Sequence, residues 1–174
     1  MRTQGPVVEA DDEGFDRFFD REYRAVVGLA FVLCGRLDGA EDLAQDAFAA
    51  AYRDWARIGN YDNPGAWIRR VVANRAVSLR RRRSVELSTL QRLVGRRSVP
   101  DPEMPLEDAA VWQAVRSLPR RQAQVIALVY LEDRSVRDAA AILGCAEETA
   151  RTHLRRGSAS VAKHLGLHRT EEIT

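Results

Sequence analysis

Arg151 and Arg155 lie four residues apart in a stretch that opens Glu147-Glu148-Thr149. On a helix that spacing brings both guanidiniums to one face. A guanidinium there can bond two acceptors of a guanine edge or a phosphate at once. Thr152 adds a hydroxyl beside them. Glu147 and Glu148 favour the positive end of a helix dipole, and a carboxylate can also accept from cytosine. Upstream, Ser135 precedes a short apolar-patterned segment, 136–143, which Gly144-Cys145 breaks. A capped short helix, a glycine turn and a second helix form the pattern of a helix-turn-helix, with the second helix in the major groove. Ala140 supplies the small residue where the two helices approach, and Gly144 can adopt positive φ. A solvated amphipathic helix would not need turn, cap and basic face to coincide.

A second set of residues suits unpaired bases. Asn60, Tyr61 and Asn63 bring amide edges and an aromatic ring beside a run of arginines, Arg69, Arg70 and then Arg80, Arg81, Arg82 and Arg83. Stacking platforms within an electropositive groove bind single strands. Trp67 could stack a base or belong to the core. A third set is acidic: at 100° per residue Asp42, Gln45, Asp46, Ala49 and Arg53 share one helix face, opposite Leu43, Ala44, Ala47, Phe48, Ala51 and Trp55. That face fits either a partner protein or solvent.

Charge is segregated along the chain. Residues 1–63 carry seven Arg against thirteen Asp or Glu, and residues 64–100 carry ten Arg against one acid, Glu86. Two different partners are implied, one of them polyanionic. A single lysine, Lys163, stands against 26 arginines. Phosphate and guanine recognition favours Arg, and a GC-rich genome produces the same bias.

Enzyme chemistry finds no support. The three histidines, His153, His164 and His168, fall outside any Ser–His–Asp grouping or HExxH motif, and no Gly-rich phosphate loop occurs. Cys34 and Cys145 are far apart, with neither CxxC spacing nor a His cluster, so no metal or cofactor is expected and both read as reduced packing residues. No apolar run reaches the roughly 20 residues that span a bilayer. The N-terminus lacks the layout of a secretion leader. A cytoplasmic protein without membrane insertion is expected.

These residues need helices to position them. Apolar residues recur at spacings of three and four, and strand-like alternation is absent. With 45% hydrophobic and 30% charged residues the chain is globular. The pattern predicts an all-α fold of two small helical domains joined by a flexible linker: residues 12–83, a Pro-punctuated linker at 84–105, and residues 106–166 ending in the helix-turn-helix. A first helix over 12–33 buries Phe15, Phe18, Phe19, Val26, Ala30 and Leu33. A second begins at Asp38, which forms a capping box with Glu41, and continues to about 55. Asn63-Pro64 starts a third, running to about 83, with Ile68, Val71, Val72, Ala76 and Leu79 inward. Pro119 opens another that reaches about 131.

Four stretches carry a resemblance to a known family. A-E-D-L-A-Q-D-A-F-A-A-A-Y (40–52), W-I-R-R-V-V-A-N-R-A-V-S-L-R-R (67–81), S-L-P-R-R-Q-A-Q-V-I-A-L-V-Y-L-E-D (117–133) and E-E-T-A-R-T-H-L-R-R-G (147–157) together resemble the extracytoplasmic-function group of the sigma-70 family. The motifs stand in the family's order and cover most of the chain. The resemblance implies that Asp42, Gln45 and Asp46, with Ala49 and Arg53 on the same face, dock on the clamp helices of the largest subunits of core RNA polymerase. It implies that the loop with Asn60, Tyr61 and Asn63, and the helix carrying Trp67, Arg70, Asn74, Arg80 and Arg81, read and open the −10 element of promoter DNA. The helix-turn-helix, through Glu147, Glu148, Thr149, Arg151, Thr152 and Arg155, would read the −35 element. The linker would thread near the RNA exit path, and an anti-sigma partner, common in the family, would clamp the two domains. Ser78 departs from the usual Asp, Ala139 from Ile, and Arg134 from an apolar residue. A stand-alone helix-turn-helix regulator is the alternative, and it leaves the acidic face and the Asn/Tyr loop without a purpose.

Overall fold

A computed structural model describes residues 12–94 and 106–166, and all regular structure among them is helical. In the first half, α1 (Asp12–Cys34), α2 (Leu37–Arg53), the single turn α3 (Trp55–Ile58) and α4 (Pro64–Val94) follow one another. The second half holds α5 (Leu106–Ser117), α6 (Arg120–Ile126), α7 (Val136–Leu143) and α8 (Glu147–His164). A π-helical turn, Ala127–Leu131, prolongs α6.

Helix α1 packs against both α2 and α4. Phe18, Val26 and Ala30 of α1 meet Ala44, Ala47, Phe48 and Ala51 of α2 and Ile68 and Val72 of α4, with Trp55 and Ile58 closing one end. Alanines on α2 let the helices approach closely, and aromatic edges fill the wider end: Phe15 meets the Trp55 ring at 5.3 Å and Phe19 meets Phe48 at 4.8 Å. The start of α4 is set as the sequence predicts, since Asn63 Oδ1 accepts from the Ala66 backbone N–H at 2.9 Å.

Three local expectations change. Helix α2 begins one residue earlier than Asp38, after Arg36, and no capping box forms. The Asp38 carboxylate is taken instead by the Arg36 guanidinium and the Gly39 N–H. Helix α4 continues past Arg83 to Val94, so residues 84–94, the first part of the expected linker, are helical. The segment S-V-E-L-S-T-L-Q-R-L-V contains neither Gly nor Pro to stop it, and Gly95 follows. Residues 95–105 and the tail beyond Gly166 lie outside the described residues. Arg69 belongs to no solvated basic face. It is 3% exposed, for the reason given below.

A second apolar cluster joins the halves. Leu29, Val32 and Leu33 of α1 and Ala73, Ala76 and Val77 of α4 share it with Trp112, Val115, Leu118, Leu128 and Leu143. Cys34 and Cys145, which form no disulfide, lie half-buried at its margin, and the Cys34 thiol donates to the Arg36 carbonyl at 3.3 Å. Within the second half α8 crosses α6 so closely that a Cβ on Gly157 would lie 2.7 Å from Ile126 Cδ1.

Candidate functional site

The acidic face of α2 is open. Asp42, Gln45, Asp46, Ala49 and Arg53 are all exposed, while the opposite face buries Ala40, Ala44, Ala47, Phe48 and Ala51. Leu37 and Tyr52 add exposed apolar surface to the same helix. Charged groups around uncovered apolar area suit a protein partner better than solvent alone.

The loop before α4 is built by its own side chains. Asn60 Nδ2 donates to the Ala56 carbonyl at 2.7 Å, and Asn63 serves as the α4 cap. Tyr61 stays exposed, its hydroxyl accepting from Arg57 Nη1 at 2.8 Å, with the guanidinium carbon 5.8 Å from the ring centroid. Asp54 accepts from Arg57 at 2.5 Å, and this bond and charge push the guanidinium above its ordinary value. Arg57 was not singled out from the sequence, although its spacing of four from Tyr61 on a helical turn is a readable signal. Asn60 and Asn63 each spend one amide atom on the backbone and stay exposed, so Asn60 Oδ1 and Asn63 Nδ2 face outward beside Tyr61 and Arg57.

On α4, Trp67 is half-buried against the first core. Arg70 is exposed, yet its guanidinium reaches the turn of the helix-turn-helix: a Cβ on Gly144 would fall 2.6 Å from Arg70 Nη2. Asn74 faces α6, where its Oδ1 accepts from Arg120 Nη2 at 2.6 Å and from Gln124 Nε2 at 3.1 Å. Arg80 is half-buried, and burial, with the charge of Arg116, pushes its guanidinium below the ordinary value. The Arg81 side chain falls outside the described residues. Loop and helix therefore do not form one continuous open surface. Tyr61 is open, whereas Asn74 is engaged by the second half of the chain.

The helix-turn-helix has the geometry its sequence predicts. Ser135 Oγ accepts from the Asp138 N–H at 3.0 Å, Gly144 adopts φ 65°, and Ala140 is buried between the helices. Ala139, buried too, fits without a larger side chain. Glu147, Glu148, Thr149, Arg151 and Arg155 are exposed along α8, with Thr152 half-buried. Arg151 is not idle: it pairs with Glu147 at 2.6 Å and stands 3.6 Å from Glu148. These exposed i,i+4 and i,i+3 pairs are weak, about 0.3–0.5 kcal/mol, so they orient the guanidinium without locking it in place.

Among the described residues the most enclosed charged group where the halves meet is Arg69. Its Nε donates to Glu132 Oε2, its Nη1 to Glu22 Oε2 at 2.6 Å and to the Gly65 carbonyl at 3.1 Å. Burial works against the charged guanidinium, but the bonds and charges of Glu132 and then Glu22 outweigh it and hold its affinity for the proton above the ordinary value. Burial likewise disfavours the Glu22 carboxylate, and Arg21 and Arg69 together hold it below its usual range. Removing one member of such a buried set typically costs about 3–5 kcal/mol. Among the described residues no cluster of His, Cys, Asp and Glu could hold a metal, and no helix is long and apolar enough to cross a membrane.

Comparison with known proteins matches both halves. Residues 18–85 match the family model for Sigma-70 region 2, and residues 108–168 match that for Sigma-70, region 4. The chain is 32% identical over 162 residues to the ECF RNA polymerase sigma factor SigM of Mycobacterium tuberculosis, covering 91% of this chain and 81% of that protein. It is 25% identical to the ECF RNA polymerase sigma factor SigW of Bacillus subtilis, over 91% of this chain and 92% of that one. Among solved structures it is similar to the sigma factor RpoE in complex with the anti-sigma factor NepR from Bartonella quintana, with a TM-score of 0.69 and 25% identity over 90% of this chain and 99% of that one. CnrH, solved with the cytosolic domain of CnrY, shares the fold at a TM-score of 0.63 and 20% identity, over 90% of each chain. The family matched is one of non-catalytic initiation factors. Two family regions in order, on two helical units of matching shape, establish that this chain belongs to the sigma-70 family as an ECF-type RNA polymerase sigma factor, which directs promoter-specific transcription initiation.

Proposed function

We propose that the three residue sets divide the work of initiation. The exposed α2 face, Asp42, Gln45, Asp46, Ala49 and Arg53, holds core polymerase at the clamp helices of its largest subunits. The loop with Asn60, Tyr61 and Asn63, and α4 with Trp67, Arg70, Asn74, Arg80 and Arg81, read and open the −10 element. Helix α8 reads the −35 element as duplex through Glu147, Glu148, Thr149, Arg151, Thr152 and Arg155. The observation that carries this reading is the coexistence of an open acidic helix face and an exposed recognition helix, set behind a capped α7 and a left-handed glycine turn, on opposite halves of one small chain.

The energetics follow from the residue types. Arginine–phosphate contacts supply affinity that falls with salt, at a slope of roughly −0.9 per neutralised phosphate on duplex DNA. Specific base contacts add about 1–3 kcal/mol each. Opening the duplex requires no nucleotide hydrolysis by this chain, because unpaired bases are captured by stacking and hydrogen bonds inside the polymerase assembly. Cys34 and Cys145 need no redox role, and neither a cofactor nor a metal enters. The protein works in the cytoplasm with polymerase, and an anti-sigma protein is a further partner, as the RpoE–NepR complex suggests by similarity. Residues 12–83 and 106–166 are the two functional domains, with the intervening segment passing through polymerase.

Run-off transcription with purified core polymerase on genomic promoter fragments tests the reading. Discrete start sites that depend on this chain are expected. A stand-alone regulator would bind duplex DNA yet add no start site to core polymerase, and that result would refute the proposal.

A further inference from the structure

Tyr61 is an exposed ring with little freedom left to it. The backbone that leads to it is fixed from below. Trp55 and Ile58 of α3 are buried, and a Cβ on Gly59 would lie 3.0 Å from the Trp55 carbonyl and 3.1 Å from its ring. The Asn60 and Tyr61 N–H groups then donate to the Arg57 and Ile58 carbonyls at 3.3 and 3.1 Å. Only the side-chain torsions of Tyr61 remain, and Arg57 restrains them. Its Nη1 donates to the Tyr61 hydroxyl at 2.8 Å, while its Nη2 donates to Asp54 Oδ2 at 2.5 Å. One planar guanidinium thus bridges two oxygens, as its fork of donors allows.

This arrangement adds little to the fold. The Asp54 and Arg57 side chains are 55% and 61% exposed, and exposed ion pairs contribute little to stability. Its effect falls on the ring. The guanidinium grips Tyr61 by the hydroxyl, with its carbon 5.8 Å from the ring centroid, too far to lie flat on either face. A ring held still at the surface spares a stacking partner the cost of ordering it.

We propose that Asp54 and Arg57 brace Tyr61 as the platform on which one unpaired base of the −10 element stacks. This role rests on the assignment of the loop to the −10 element. Arg57 is a positioning residue: it acts through the ring and not on the DNA backbone. Asp54 offsets its charge, which leaves the pair little attraction for phosphate. An aromatic face accepts any base. Tyr61 therefore supplies affinity for an unpaired base, and choice among bases falls to the neighbouring Asn60 and Asn63 amides.

The test uses the full chain with core polymerase on a promoter recovered by run-off transcription. Mismatches keep its −10 segment unpaired, so that affinity reports capture of bases and not melting. The fluorescent analogue 2-aminopurine replaces each non-template −10 base in turn, and stacking quenches it. In the parent one position should be quenched. Tyr61→Ala should remove the quench and weaken binding about five- to 150-fold, the loss of one stacked base. Tyr61→Phe and Arg57→Ala should each weaken it about two- to tenfold, the cost of ordering a free ring, with a smaller quench. The double variant should lose no more than either, because both changes break the same bond. Arg57→Ala should also leave the salt slope of binding at the parent value. A phosphate contact by Arg57 would lower that slope by about 0.7 on a single strand. Such a fall, losses that multiply in the double variant, or a parent with no quenched position would overturn the brace. No chain-dependent transcript from any promoter fragment would remove the initiation reading, and the brace with it.

Discussion

Helix α2 turns Asp42, Gln45, Asp46, Ala49 and Arg53 outward, and nothing among the described residues covers them. Helix α4, packed beside it on the same α1 scaffold, turns Arg69 and Asn74 toward the second half, which engages both. One three-helix unit thus keeps its acidic face available while Arg69 and Asn74 of its basic helix are engaged. Composition alone would suggest the reverse emphasis, because ten arginines in residues 64–100 look like the more conspicuous binding surface. The difference teaches that charge density marks a surface's partner, whereas burial marks when that partner can reach it.

The largest expected effect breaks the open side of this comparison. Asp42→Arg with Asp46→Arg should abolish co-purification with core polymerase. Both residues are exposed, so the melting temperature should stay within a degree or two of the parent, as surface changes of about ±0.5 kcal/mol imply. Retained co-purification would contradict the docking face. Next come Arg151→Ala and Arg155→Ala on α8. Each should weaken −35-dependent initiation by roughly 1–3 kcal/mol, about five- to 150-fold, with polymerase binding intact. Undiminished initiation by both would remove α8 from base readout. The smallest effect sharpens the role of local scaffolding. Ser135→Ala removes the cap of α7 and should cost about 1 kcal/mol in thermal unfolding, lowering −35 binding only through stability.

Much of this organisation was legible in the residues. Helix periods, the Asn63-Pro64 start, Ser135 and Gly144 around the helix-turn-helix, and the outward face of α2 depend on neighbours within a few positions, which spacing reports faithfully. What was not legible depends on distant partners. Arg69 sits in an arginine run that reads as part of an electropositive groove. Its burial is decided by Glu132, 63 residues away, and Glu22, 47 residues away. Asn74 is settled likewise by Arg120 and Gln124. The expected capping box failed for a local reason, as Arg36 competes for the Asp38 carboxylate. The extension of α4 to Val94 shows that falling amphipathicity does not end a helix when no Gly or Pro intervenes.

Hydroxyl-radical footprinting of two tyrosines tests the central division of faces most directly. Tyr52 on α2 and Tyr61 in the loop before α4 are both exposed in the free chain. Core polymerase alone should protect Tyr52 and leave Tyr61 reactive, and addition of promoter DNA should then protect Tyr61. A Tyr52 that stays fully reactive with polymerase bound, or a Tyr61 untouched by promoter in the complete assembly, would contradict it.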